Sequence, residues 1–460
     1  MGETEVLADH VANAKYEDLP KNVIDYTKKS ITDTIACGLG GRKSIEGDIL
    51  IDIMKEIGGK PEATVIGDRT RLTFMQAAQV NSVITNILDY DDNLMKVGHM
   101  SKVLLPVALA VGEHVNASGK EIINAIVQGY EVIIRIRDAV NPSEEAFWKT
   151  FEKVASGLHF GVTVVAGKLL GLDGEQMADA FGLTGLVRAY RVTRPDWATK
   201  GMPRWMKVTL GDITIPGIHS VLLAQRGFAG NRTIFDQGRG YEVSVGSDRY
   251  DASKLTENLG DDYGMLGIGY KIYPSCRYTH SALDAVAAIV TDHRVKVEDV
   301  ERIVVRVQKM VSDNFSIYEP EYMIPAQFSI PYGVTMVMMG EPAGPNWYLE
   351  DMLKNPRVRE FQHKIMLMED PVATKEFYTE HKVPSTVEIR TKDGRCFSKH
   401  VEYPRGEPEN PLTEEERVDK FVNMASWLGM KRNQIDDLIQ TLKILEELGC
   451  VEELTRLLVP

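Results

Sequence analysis

The interval at which apolar residues recur changes part-way along this chain, and that change constrains the fold more than any other feature. Across 77–88, Ala77, Ala78, Val80, Val83, Ile84, Ile87 and Leu88 return every three or four positions, the period of a helix. Segments 104–111, 119–135, 162–170 and 176–186 keep the same period, with small residues such as Ala108, Ala110, Ala166 and Gly167 among them. Small side chains let helices approach closely, so this part reads as a mutually buried helical body. After about residue 268 the pattern shifts. A helix is expected over 281–295, a β-branched strand over 300–307, and a hairpin in which 385–390 and 396–398 flank Lys392-Asp393-Gly394. Leu412-Thr413-Glu414-Glu415-Glu416 then carries the Thr-x-x-Glu form of a helix start, with amphipathic helices to Leu458. The predicted architecture is mainly α: a large all-helical domain (1–268), an inserted smaller α+β lid domain (269–405), and C-terminal helices (406–460) returning to the helical domain.

Composition narrows the class. The 460 residues include 53 Lys+Arg against 66 Asp+Glu, a formal net charge of −13 that argues against nucleic acid as a partner. Hydrophobic content of 43% and charged content of 26% are those of a globular chain. Cys37, Cys276, Cys396 and Cys450 lie far apart, which fits neither a disulfide framework nor a zinc site and suggests a reducing compartment. The start, Met1-Gly2-Glu3-Thr4-Glu5-Val6, has no signal-peptide character, and no apolar run is long enough to span a bilayer. A cytoplasmic protein with no membrane partner is expected.

Three stretches could carry chemistry. Gly38-Leu39-Gly40-Gly41-Arg42-Lys43-Ser44 misses the phosphate-loop spacing, because Arg42 separates Gly41 from Lys43, and reads as a surface turn after a helix. Asp89-Tyr90-Asp91-Asp92 closes an apolar helix, ten residues before His99. It could be a solvated helix end or part of a metal site, although the nearby ligand set is incomplete. Alternatively, a carboxylate there orients the imidazole as an acid/base pair. Lys271-Ile272-Tyr273-Pro274-Ser275-Cys276-Arg277-Tyr278-Thr279-His280 gathers Lys, Arg and His at the expected domain junction, just before a helix. It is either a charged linker or a carboxylate site in an interdomain cleft. Tyr332, in Phe328-Ser329-Ile330-Pro331-Tyr332, enters another helix and is either core or site.

Taken in order, these stretches resemble the MmgE/PrpD family, whose activities include dehydration of 2-methylcitrate, decarboxylation of cis-aconitate and epimerisation of iminodisuccinate. The similarity spans nearly the whole chain. It also takes in Ser30–Cys37, the Gly167-Lys168-Leu169-Leu170-Gly171-Leu172 stretch, 223–228 and 405–412. The resemblance implies a large helical domain, a smaller α+β lid, and a homodimer working without metal or organic cofactor. It places Asp89, His99, Lys271 and Tyr332 at catalytic positions, with Pro106 falling correctly behind the Asp/His pair. Asn93 stands where relatives often have Thr. His159 and Lys207 are displaced from the family's second His, which falls nearer Lys153 or Val154, and from its Lys, which falls on Met206. Cys276 stands where the decarboxylase branch has His.

The family reactions share one difficulty: a carbon beside a carboxylate must carry negative charge. Cations holding that carboxylate stabilise the resulting enediolate, and Lys271 and Arg277 are candidates, since Arg grips a carboxylate with two parallel hydrogen bonds. His99, oriented by Asp89, would move the proton, and Tyr332 would donate to a leaving hydroxyl or a substrate carboxylate. Asn93, Arg277, His280, His159 and Lys207 complete the candidate binding set. The expected function is a cofactor-independent lyase dehydrating a small hydroxy-polycarboxylate. Epimerisation or decarboxylation of a di- or tricarboxylate is the alternative, and a non-catalytic carboxylate binder is the third reading.

Overall fold

Helices α1 (Glu3–Asn13), α2 (Lys21–Gly41), α3 (Ile45–Ile57) and α4 (Phe74–Asn86) begin the chain, with a two-stranded ribbon of β1 (Ala63–Thr64) and β2 (Arg71–Leu72) ahead of α4. Then come α5 (Ser101–Val115), α6 (Gly119–Val140), α7 (Gly157–Leu169), α8 (Gly174–Val187) and α9 (Thr214–Ala224). The computed structural model describes residues 1–95, 97–143, 146, 157–187 and 207–460. Local sequence sets the starts of several helices. Thr73 with Gln76 caps α4 and Ser118 with Glu121 caps α6, each pair satisfying two otherwise unpartnered donors reciprocally.

The glycines at 38–41 are a correction to the expected surface turn. They form the buried last turn of α2, and the turn starts only at Arg42. The reason is close approach. A Cβ at Gly41 would lie 2.1 Å from the Ile84 carbonyl oxygen of α4, and one at Gly40 would lie 2.5 Å from the Met424 sulfur.

Beyond residue 268 the chain builds a mixed sheet against helices. Strands β3 (Val300–Val307), β4 (Ile365–Glu369), β5 (Ser385–Thr391) and β6 (Cys396–Val401) lie in the order β4-β3-β5-β6. The β5–β6 hairpin is antiparallel, as the Lys392-Asp393-Gly394 turn predicts, while β4 pairs parallel to β3 with Ile303 opposite Ile365. Alternate residues of β5, among them Val387 and Ile389, are buried where α10 (His280–His293) covers the sheet. Helix α11 (Ile330–Met338) packs on α10 in turn.

Apolar packing divides between Ile268 and Tyr273. One core runs from Leu7 to Ile268 and resumes with Phe421, Met424 and residues to Leu458; the other runs from Tyr273 to Ile389. The return comes through α12 (Glu414–Leu428) and α13 (Arg432–Lys443), both of which pack on α2. Thr413 and Glu416 form the capping box that the sequence announces at the start of α12. Met323 and Tyr348 pack against both cores. The chain is thus mainly α, and among the described residues no helix is long and apolar enough to cross a membrane.

Candidate active site

The polypeptide leaving α4 does not run out into water. Asp89, Asp91 and Asp92 are all buried, and Asp89 adopts φ 52°, a left-handed conformation uncommon outside glycine. That bend aims the Asp89 carbonyl at Lys271, whose ammonium donates to it at 2.7 Å. Further on, Leu94 and Gly98 exchange backbone hydrogen bonds, with Gly98 at φ 88°. The doubled-back chain delivers His99 beside Asp89 just before α5 starts, which explains the ten-residue gap between them.

Three ionisable side chains meet at the Asp89 carboxylate. Lys207 Nζ lies 2.8 Å, His99 Nε2 3.2 Å and Lys271 Nζ 3.3 Å from Asp89 Oδ1. The other imidazole nitrogen, Nδ1, lies 3.2 Å from Asp91 Oδ1. Lys271 is fully buried, whereas His99 retains 18% of its side-chain surface. Burial pushes the Asp89 carboxyl up, but Lys207, Lys271 and His99 outweigh it and hold the group well below the usual carboxylate range. Asp91 is likewise pushed up by burial and pulled further down by His99 and Lys271, to about 2. Asp92 goes the other way: burial and the charge of Asp91 raise it to about 6. Its Oδ1 accepts from the backbone N–H groups of Met100 and Ser101, each at 3.1 Å, and its Oδ2 from Tyr130 Oη at 2.9 Å. Asp92 therefore caps α5, whose own N-cap residue Met100 offers no side-chain acceptor.

Asp89, Asp91 and His99 each present a ligand atom within 4.8 Å of the others, a spacing that would suit a divalent cation. Two ammonium groups already close on the same Asp89 oxygen, and their charge opposes a metal ion there. Unpartnered buried atoms do remain at the cluster, Asp89 Oδ2 and Asp91 Oδ2 among them.

The remaining sequence candidates make contacts of their own. Asn93 is buried and forms a two-way backbone bridge to Gly269, joining the first segment to the start of the second; its Nδ2 has no acceptor. Arg277 donates from Nε to Glu407 at 2.6 Å and from Nη1 to the carbonyls of Tyr270 and Arg405. His280 places Nε2 3.2 Å from the Ser275 carbonyl and Nδ1 3.4 Å from Arg277 Nη1, the pattern of a neutral ring. Burial, then the charges of Arg277 and Lys271, push its pKa well below the ordinary histidine value. Tyr332 is buried and donates to the Trp347 carbonyl, and its ring stacks on Tyr348 at 6.3 Å. His159 sits half-buried on α7, its carbonyl accepting from Thr163. Lys153, Val154 and Met206 lie outside the described residues. Burial raises the Cys276 thiol to about 12, so it stays protonated at neutral pH.

Sequence reasoning passed over three contributors. Gln327, one residue before the 328–332 motif, donates to the Ile87 carbonyl at 2.7 Å. Tyr348 donates to the Pro274 carbonyl within the 271–280 stretch. Lys420, on α12, donates to the carbonyls of both Tyr90 and Lys271. A lysine in an amphipathic helix ordinarily signals a solvated face, and nothing in its neighbours marks this one as buried.

Comparison with known proteins covers the same ground. Residues 5–252 match the MmgE/PrpD N-terminal domain and 273–444 the MmgE/PrpD C-terminal domain. The second match includes α12 and α13, which pack on the first core. Among curated relatives, cis-aconitate decarboxylase from Mus musculus is 26% identical over 470 residues, covering 99% of this chain and 93% of its own. The Homo sapiens cis-aconitate decarboxylase is also 26% identical, over 99% of this chain and 94% of its own. The 2-methylcitrate dehydratase of Salmonella typhi is 23% identical, over 87% of this chain and 85% of its own.

Proposed function

The chain belongs to the MmgE/PrpD family, and from that premise we propose that it is a lyase acting on a small di- or tricarboxylate, by dehydration of a hydroxy-polycarboxylate of the 2-methylcitrate type. The observation that carries this reading is the convergence of His99, Lys207 and Lys271 on one carboxylate oxygen of Asp89. Such a group meets both demands of the reaction. The lysine ammonium groups hold the substrate carboxylate and the negative charge that develops beside it, a form of stabilisation commonly near 3–4 kcal/mol per donor. His99 takes the proton from the adjacent carbon. The released electron pair forms the double bond as the carbon–oxygen bond breaks, and His99 returns the proton to the departing hydroxide as water. Each imidazole nitrogen has a carboxylate at 3.2 Å, so the ring keeps its orientation whichever nitrogen carries the proton. No cofactor is needed for this sequence of steps.

Arg277 and His280 serve this reading at the domain junction, since their polar atoms bond there to Glu407 and to backbone. Residues 269–405 act as the lid, with Asn93 and Gly269 at its hinge. The working molecule is a homodimer. In support, Ile45, Ile49, Ile53 and Ile57 lie exposed along α3, the kind of apolar surface that association covers.

Decarboxylation is the second reading, favoured by the names of the relatives at 26% identity. Cys276 weighs against it, because a thiol that stays protonated does not replace an imidazole as a proton donor of matched pKa. Incubation with a panel of di- and tricarboxylates in deuterated water separates the cases. Dehydration gives a product absorbing as a conjugated acid without loss of carbon dioxide. Carbon dioxide release selects decarboxylation, and deuterium exchange without net water loss selects epimerisation. Saturable binding with none of these outcomes makes the protein a carboxylate binder.

A further inference from the structure

Lys420 lies on α12, far from the site in sequence, yet its side chain is only 4% exposed. An ammonium has three protons, and this one has three oxygen acceptors. They are Asp33 Oδ1 at 2.7 Å, the Tyr90 carbonyl at 2.7 Å and the Lys271 carbonyl at 3.0 Å. The same ammonium lies 4.0 Å from the centre of the Tyr90 ring, and the Tyr90 hydroxyl donates to the Ile272 carbonyl at 2.8 Å. Two of its acceptors are thus the backbone oxygens of the residue following Asp89 and of the lysine that faces Asp89. Asp89 and Lys271 are 182 residues apart in sequence, and one buried cation grips both of their segments.

An ion pair placed only to stabilise the helix contact would need Asp33 and nothing more. A buried lysine is costly to desolvate, and isolated buried pairs are often replaceable by apolar side chains without loss of stability. The two backbone bonds are what apolar replacements cannot supply. We propose that Lys420 is a positioning residue: through the Tyr90 and Lys271 carbonyls it fixes the spacing of Asp89 and the Lys271 ammonium, and Asp33 is the counter-charge that keeps it buried. The role in turnover rests on the lyase reading; the positioning itself does not.

Two variants of the full-length protein test this. Lys420→Arg keeps the charge beside Asp33, but a planar guanidinium cannot meet the three acceptors from the position of a compact ammonium. Asp33→Asn with Lys420→Met removes both charges together, so no buried charge is left unpaired. Each folded variant, checked by thermal melting, is measured for kcat and KM on the best substrate of the panel and for the NMR chemical shifts of the His99 ring. Misplacement of a catalytic group by about 1 Å is worth on the order of 100-fold in rate. The expected result is a kcat roughly that much lower in both variants, with KM changed far less, and His99 ring signals displaced from their wild-type positions as Asp89 moves. Should wild type turn over nothing in the panel, the lyase reading fails, and the His99 ring signals alone decide the positioning role. Wild-type His99 signals in either folded variant, or wild-type kcat in Lys420→Arg, overturn the proposal.

Discussion

Asp89 keeps its charge in a place where burial alone would remove it, because two lysines and an imidazole surround one of its oxygens. The cluster is therefore interdependent. Lys271→Ala is expected to weaken substrate binding as well as turnover, since the ammonium meets the carboxylate in the ground state and in the transition state alike. It is also expected to lower stability by a few kcal/mol, because a buried carboxylate loses a partner; calorimetric titration with a non-reacting tricarboxylate and thermal melting read the two effects separately. Tyr332 behaves differently. Its hydroxyl is occupied by the Trp347 carbonyl, so Tyr332→Phe should cost about 1–2 kcal/mol of stability by leaving a buried acceptor unsatisfied. Its kcat should stay within a few-fold of wild type, and a thousand-fold loss would return the tyrosine to the reacting centre.

At the level of elements, the start of α5 is the piece that places His99, and Asp92 holds it. The sign of its pH effect follows from its raised value. The folded protein keeps a proton on Asp92 up to about pH 6, whereas the unfolded chain releases it near pH 4. Folded molecules therefore bind more protons in that window, and the contribution of Asp92 to stability falls as pH rises from about 4 to 6. Asp91, held down to about 2, acts oppositely: it contributes stability above pH 4 that is lost as pH falls towards 2. Urea denaturation at several pH values should show Asp92→Asn gaining on wild type between pH 4 and 6, and a constant difference would contradict the raised value.

Elements with a strong period were legible from the sequence. The helix read over 119–135, the strand at 300–307 and the hairpin after Ser385 follow from spacing and turn chemistry, and the helix runs on to Val140. Strand 365–369 was not, because its short Ile-Met-Leu-Met run has no alternation and its parallel partner is distant in sequence. Asp89 and His99 could be paired because one tight turn joins them. Lys420, Gln327 and Tyr348 could not, since each reaches the site only through tertiary packing.

For the whole molecule, two cores meet along a seam where Asn93 pairs with Gly269 and Arg277 grips Glu407. Asp89 and His99 come from one side of that seam and Lys271 from the start of the other. Association is a separate property of this scale. Light scattering at micromolar concentration should give the mass of a dimer, and a monomer there would remove that part of the proposal. The measurement closest to the central claim is exchange of the substrate's α-hydrogen with deuterated solvent in His99→Ala, alongside calorimetric binding of the same tricarboxylate. A proton-moving His99 predicts exchange lowered by roughly 100- to 10,000-fold with binding preserved within a few-fold. Exchange at the wild-type rate in that variant would contradict the site altogether.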